Sequence, residues 1–205
     1  MILLRGAATL ATVLMFLTNL VVVKQIKEDG HISVASILPF LSTFANCCFW
    51  LKYGVMLGES SICWTNAVGV IITVYALYQC HNHCESERTR AKIEKRILVT
   101  VGVVLSVLTA IKLSYGPEIL SWVGFLCCAL TMVMFGTPLA SLRTVIQAKS
   151  AHGHLSLPMI LISFVSASLW SLIGFRLRDN WIIQPNIVGA ALSLVQLLVY
   201  SAYRK

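Results

Sequence analysis

Seven apolar blocks, each long enough to cross a bilayer, leave this chain few other ways to fold. They run approximately from 6 to 23, 35 to 57, 61 to 79, 97 to 115, 120 to 142, 156 to 175 and 181 to 202, with short polar stretches between them. A helix needs about 20 residues to cross roughly 30 Å of hydrocarbon. In that medium each backbone N–H and C=O must be paired within the protein, as an α-helix does on its own. Hydrophobic residues make up 58% of the chain and charged residues 12%, too little polar surface to coat a soluble domain. The expected fold class is an all-α membrane protein with seven transmembrane helices. The first block follows Arg5, runs on to Val23 and ends in Lys24 and Lys27 without a small-residue cleavage site in a polar setting. It reads as a retained helix rather than a signal peptide.

Seven spans put the two termini on opposite sides, and short basic loops stay in the cytoplasm. With the N-terminus outside, the cytoplasmic set is Lys24, Lys27, Arg88, Arg90, Lys92, Lys95, Arg96, Arg143, Lys149, Arg204 and Lys205. Arg5, Lys52, Lys112, Arg176 and Arg178 remain outside. This predicts an extracellular or lumenal N-terminus and a cytoplasmic C-terminus; the plasma membrane or the Golgi is the expected location, which the charge count does not itself distinguish. The net charge of +8 then reflects topology and the lipid bilayer, with no nucleic acid required.

Of the seven cysteines, Cys47, Cys48, Cys63, Cys127 and Cys128 sit in apolar blocks, where a thiol behaves as a small hydrophobe. Cys80 and Cys84 flank His81 and His83, but one short cluster at a membrane edge lacks the paired spacing of a structural zinc site. The expectation is a juxtamembrane segment without a metal, in a chain with no cofactor.

Laying the N-terminal third on the C-terminal third uncovers a repeat. Met15-Phe16-x-Thr18-x-Leu20 recurs as Met134-Phe135-x-Thr137-x-Leu139, and Pro39 recurs as Pro158 at the same offset. One residue further out of step, Trp50 pairs with Trp170, Gly54 with Gly174, and Asn66-x-Val68-Gly69 with Asn186-x-Val188-Gly189. Leu, Val and Ile match by chance between any two apolar helices, but Trp, Pro and Asn do not. The pattern predicts a first triple-helix repeat over 1–84, a linker loop and fourth helix over 85–118, and a second triple-helix repeat over 119–205. Three helices plus one linker return the second unit to the membrane in the orientation of the first, so the repeats are expected to be parallel.

Asn66 and Asn186 fall inside the third and seventh spans, where an amide must find partners. Helix-to-helix glue is one role, worth about 0.6–2 kcal/mol; hydrogen bonding to a polar solute is the other. Their symmetric pairing with Trp50 and Trp170 favours the second. An aromatic face can stack on the C–H face of a pyranose while an amide serves hydroxyls that both donate and accept. Trp64, Trp122 and Trp181 sit at block edges, as interfacial aromatics do. No Asp or Glu lies inside the seven blocks, and Lys52 and Lys112 sit near extracellular ends where they can snorkel. Proton coupling needs an ionisable relay and an ion pore needs a charged or carbonyl-lined constriction. Their absence favours passive movement of a neutral solute. Pro39, Pro138 and Pro158 are expected to interrupt the second, fifth and sixth spans, and to act as hinges.

These residues resemble the SWEET, or MtN3/saliva, family of sugar transporters, and its animal members in particular. The resemblance rests on Leu38-Pro39-Phe40, Asn46 through Trp50 to Tyr53-Gly54, Thr137-Pro138-Leu139, the run Trp170 to Asp179 with Phe175-Arg176-Leu177-Arg178-Asp179, and the two Asn-x-Val-Gly segments. It implies two triple-helix bundles joined by the fourth helix, carrying mono- or disaccharides down their gradient by alternating access. It also implies that Asn66, Asn186, Trp170 and Trp50 form the sugar site, and that Pro39, Pro138 and Pro158 are three of four gating prolines. Asn19 occupies the place of the fourth, so the first helix is expected to hinge differently. The partners the resemblance implies are a small sugar, most simply glucose, the bilayer, and further copies of the chain in a homo-oligomer, a dimer or a trimer. Two other classes also have seven helices, a receptor and a non-transporting scaffold. The repeat and short loops speak against a G-protein-coupled receptor, and the lack of buried charge speaks against a receptor for peptide tails. A scaffold predicts that changing Asn66 and Asn186 affects assembly alone.

Overall fold

The computed structural model describes residues 1–28 and 32–204; Lys205, counted among the cytoplasmic cations, lies outside them. Among the described residues there are eight helices and no strand: α1 Ile2–Glu28, α2 Val34–Leu57, α3 Ser60–Asn82, α4 Glu87–Leu113, α5 Ile119–Met134, α6 Gly136–Ala148, α7 Leu157–Leu177 and α8 Asn180–Tyr203. Taken together, α5 and α6 make one membrane-length stretch, Ile119–Ala148, so seven spans are present as the hydropathy predicts.

The break between α5 and α6 falls at Phe135. Pro138 has no N–H to offer the Met134 carbonyl, and its ring crowds that turn. The chain tightens there instead, with Phe135 N–H donating to the Met132 carbonyl at 3.1 Å and Leu139 N–H to the Phe135 carbonyl at 3.2 Å. The matching stretch of α1 holds Thr18-Asn19 in place of Thr137-Pro138, and α1 runs through it unbroken.

Pro158 does not interrupt a helix. It is the second residue of α7, where a missing N–H costs no intrahelical bond. Pro39, its counterpart, lies inside α2, which begins at Val34 behind a Ser33 capping box. The second repeat therefore lacks the helical turn that precedes Pro39 in the first.

α4 also departs from the expected span. It begins at Glu87, capped by Ser86 Oγ accepting from Thr89 N–H, ten residues before the apolar block. At 27 residues it is about 40 Å long, longer than the hydrocarbon, so its charged first turns reach the interface as helix.

The chain divides into two compact units, residues 1–15 with 128–205, and residues 16–127, so α1 and α5 each contribute one end to each unit. In the second of these, α2 packs along α3 and also meets α4; in the first, α7 packs along α8, which also meets α6.

The corners at which these pairs turn are built alike. After Leu57 the chain passes through Gly58 at φ 74° and starts α3 with Glu59 as N-cap. After Leu177 it passes through Arg178 at φ 56° and starts α8 with Asp179 as N-cap. Glu59 N–H donates to the Gly54 carbonyl at 2.9 Å, and Asp179 N–H to the Gly174 carbonyl at 3.0 Å. A methyl group on Gly54 would sit 2.9 Å from Ile62 Cγ2, and one on Gly174 2.8 Å from Ile183 Cγ1. Deeper in, Gly69 is covered by Phe16 and Cys47, and Gly189 by Phe135 and Ala167, which are the repeat equivalents of those two residues. Thr73 and Ser193, also equivalents, donate to the Gly69 and Gly189 carbonyls.

Two stability predictions follow from these contacts. A Cβ on Gly69 would meet Cys47 Sγ at 2.6 Å and Phe16 Cε2 at 2.7 Å, whereas one on Gly189 would meet Phe135 Cζ at 3.2 Å. Gly69→Ala is expected to cost about 1–3 kcal/mol and Gly189→Ala less, read as thermal midpoints of the purified protein in detergent. At the corners, Arg178→Gly should raise the midpoint, by about 1 kcal/mol of relieved left-handed backbone, and Gly58→Ala should lower it.

Candidate solute site

Each unit sets one tryptophan and one asparagine at the same depth on neighbouring helices. Trp50 precedes the end of α2 by seven residues and Asn66 follows the start of α3 by six; Trp170 and Asn186 stand in the same places on α7 and α8. At 1.5 Å per residue all four lie roughly 10 Å from their corner. That is about a quarter of the way along α3 and α8, midway between the corner and the middle of the helix.

The two asparagines share one conformation. Asn66 Nδ2 donates to the Ile62 carbonyl at 2.8 Å, and Asn186 Nδ2 to the Ile182 carbonyl at 2.7 Å. This back-bond uses one amide hydrogen. The carboxamide oxygen and the second hydrogen have no partner among the described residues, and both side chains are half-buried. Even their flanks match: Ile62 and Ile182 are buried four residues before, Gly69 and Gly189 three residues after. An amide that offers one acceptor and one donor suits a hydroxyl, which both gives and takes a hydrogen bond.

The tryptophans differ. Trp170 is 9% exposed, and its Nε1–H donates to Thr12 Oγ1 at 2.8 Å. Thr12 in turn donates to the Ala8 carbonyl at 2.9 Å and lies 2.8 Å from Ser166 Oγ. A threonine hydroxyl has one donor and two acceptor sites. With its proton on Ala8, both lone pairs are taken by Trp170 and Ser166, and Ser166 must be the donor of that pair. Nothing of Thr12 remains for a solute, and the indole N–H is likewise committed, so Trp170 can offer only its ring face. Trp50 is half-buried and packs edge-on against Tyr53, with centroids 5.6 Å apart and planes at 87°. Ile173 takes the place of Tyr53 in the second repeat.

Thr12 was not among the residues singled out from the sequence, although it recurs as Thr131 at the offset that relates Phe16 to Phe135. Its polarity inside an apolar block was the available signal. The prolines stand apart from the four solute candidates. Pro39 and Pro158 occupy the opposite ends of the helices that carry Trp50 and Trp170, and Pro138 follows the break before α6. Cys80 and Cys84 are buried with Val23, Ile37, Phe40 and Ile93, while His83 Nδ1 lies 2.9 Å from the Gln79 carbonyl and His81 beside Asn82. Trp64 and Trp122 are 70% and 67% exposed in the first turns of their helices.

Known proteins resemble this chain along nearly its whole length. A family model described as sugar efflux transporter for intercellular exchange matches residues 2–83 and 121–205. Similar proteins include Sugar transporter SWEET1 of Danio rerio, 32% identical over 199 residues that cover 97% of this chain and 90% of the relative. Sugar transporter SWEET1 of Drosophila pseudoobscura pseudoobscura is 31% identical over 208 residues, covering 98% and 88%. A solved eukaryotic SWEET transporter superposes with a TM-score of 0.89 at 26% identity, over 98% of this chain and 97% of that one.

Thr12→Val keeps the shape of the side chain but leaves Trp170 Nε1–H and the Ser166 hydroxyl without an acceptor. A loss of about 1–3 kcal/mol is expected, with Thr12→Ser close to the parent protein, both measured by thermal unfolding in detergent.

Proposed function

The chain belongs to the SWEET (MtN3/saliva) family of sugar transporters, is an integral multi-pass membrane protein and not an enzyme, and we propose that it is a uniporter for glucose or a closely similar monosaccharide. The observation that carries this reading is the matched pair of half-buried asparagine amides, each back-bonded to its own helix and each with one acceptor and one donor left over. Trp170 and Trp50 add ring faces at the same depth. None of the four carries a charge, which suits a neutral polyol. Among the described residues, the carboxylates of the helices lie at Glu28, Glu87 and Glu94, toward helix ends outside the predicted apolar blocks, so no proton relay stands beside the amides.

In this mechanism the two repeats, 1–84 and 119–205, rock about the sugar while 85–118 connects them. Pro138 supplies a break in the fifth span and Pro39 a weakened turn in α2. Pro158 acts as the fixed start of α7, and α1 moves as one rod because Asn19 replaces the fourth proline. The N-terminus faces outside or the lumen and the C-terminus the cytoplasm, the orientation that the excess of basic residues supports. Other copies of the chain complete a homo-oligomer.

Purified protein in liposomes should take up radiolabelled glucose saturably, at a rate that ignores an imposed proton gradient. Asn66→Ala and Asn186→Ala should each lower uptake at least about tenfold, the effect of stranding buried hydrogen-bonding groups of the solute, while both variants keep the parent's elution volume and melting temperature. Uptake no greater than that of empty liposomes, for glucose and sucrose alike, would remove the sugar reading and turn attention to a receptor or scaffold.

A further inference from the structure

The geometry points to a binding site for the phosphate headgroup of an anionic phospholipid, in a cleft between the start of α2 and the first turns of α4. The cleft has a volume of about 560 Å³ and is lined by Val34, Lys92, Lys95, Arg96 and Val99. It lies wholly within the unit of residues 16–127 and does not depend on the sugar reading.

On a helix, positions 92, 95, 96 and 99 fall on one face. Glu94 projects to the other side of the turn, about 200° from Lys92, and cannot neutralise the stripe. Ile93, immediately beside it, is fully buried and packs in a cluster with Ile37, Phe40, Leu41 and Cys84, against which Val34 and Ile97 also rest. The walls of the cleft are thus tied to the core while its three cations project outward. None of the three has an ion-pair partner among the described residues. Three like charges within about one turn repel one another, and an anion seated among them removes that repulsion.

The depth of the cleft selects a lipid over a free phosphate. It straddles the change from the charged residues of α4, 87–96, to the apolar ones, 97–113, which is where headgroup gives way to hydrocarbon. Directly below the cations the same face continues as Val99 and Val103, 54% and 57% exposed, a track for an acyl chain. Lys24 and Lys27, at the end of α1, also belong to the basic end to which the charge count assigns the cytoplasm. Anionic lipids concentrate in that leaflet.

The test uses the full chain in neutral detergent, offered equal amounts of phosphatidylserine and phosphatidylcholine and examined by native mass spectrometry. Phosphatidylserine should be retained at least about tenfold over phosphatidylcholine, as expected for three interfacial cations. The triple variant Lys92→Gln, Lys95→Gln, Arg96→Gln should retain the two equally. Lys92→Arg with Lys95→Arg should keep the preference. So should Lys24→Gln, Arg143→Gln, Arg204→Gln, which removes the same charge elsewhere. Undiminished preference in the first triple variant would overturn the proposal, as would equal loss in the remote one. Glycerophosphoserine, which has the headgroup without acyl chains, should not displace the lipid at matched concentration. Displacement by it would make this a site for soluble anions and overturn the lipid assignment.

Discussion

Two helices in a bilayer gain little by hiding apolar side chains from lipid, which is as apolar as they are, so they are held by how closely their backbones can approach. In this chain that approach is made at Gly54 and Gly69 in one unit and at Gly174 and Gly189 in the other. The corner glycines let α2 and α7 run into the next helix through two residues. The deeper pair seats an aromatic ring from another span, Phe16 or Phe135, against bare backbone. Once both contacts are made, the depth of every residue on α3 relative to α2, and on α8 relative to α7, is set. The matching levels of tryptophan and asparagine follow from that packing and need no separate device.

The spans were legible because hydrophobic blocks of membrane length have one structural solution in lipid. The repeat was legible because Trp, Pro and Asn do not recur by accident in apolar helices. What the sequence hid were the different fates of similar prolines. Pro39 is held within a continuous α2, since a capped turn precedes it; Pro158 has no such turn before it and becomes a helix start; Pro138 breaks its span outright. Whether a helical turn precedes the proline separates Pro158 from the other two, whereas Pro39 and Pro138 both follow helix and differ in whether the helix carries on unbroken through that stretch. The helical start of α4 was hidden because a run of charges between two apolar blocks has the composition of a loop, although Ser86 followed by Glu87 is a helix-start signal.

The candidate site was legible as a list of residues but not as a division of labour. Asn66 and Asn186 match in conformation as they do in sequence, whereas Trp50 and Trp170 do not. One leans on Tyr53; the other is pinned through its nitrogen to Thr12. Hydrogen-bond saturation at Thr12 involves residues more than 150 positions apart, and no local pattern announces such a pairing.

The one-residue slip in the repeat has a geometric meaning. Eleven residues separate Pro39 from Trp50 and twelve separate Pro158 from Trp170. Both intervals are unbroken helix, so the extra residue turns the second tryptophan by about 100° and advances it by about 1.5 Å relative to its proline. The two halves thus share a blueprint but differ in angular phase. Measured from its own proline, each tryptophan therefore points in a different direction, and the two members of a pair that match in sequence present their rings unequally.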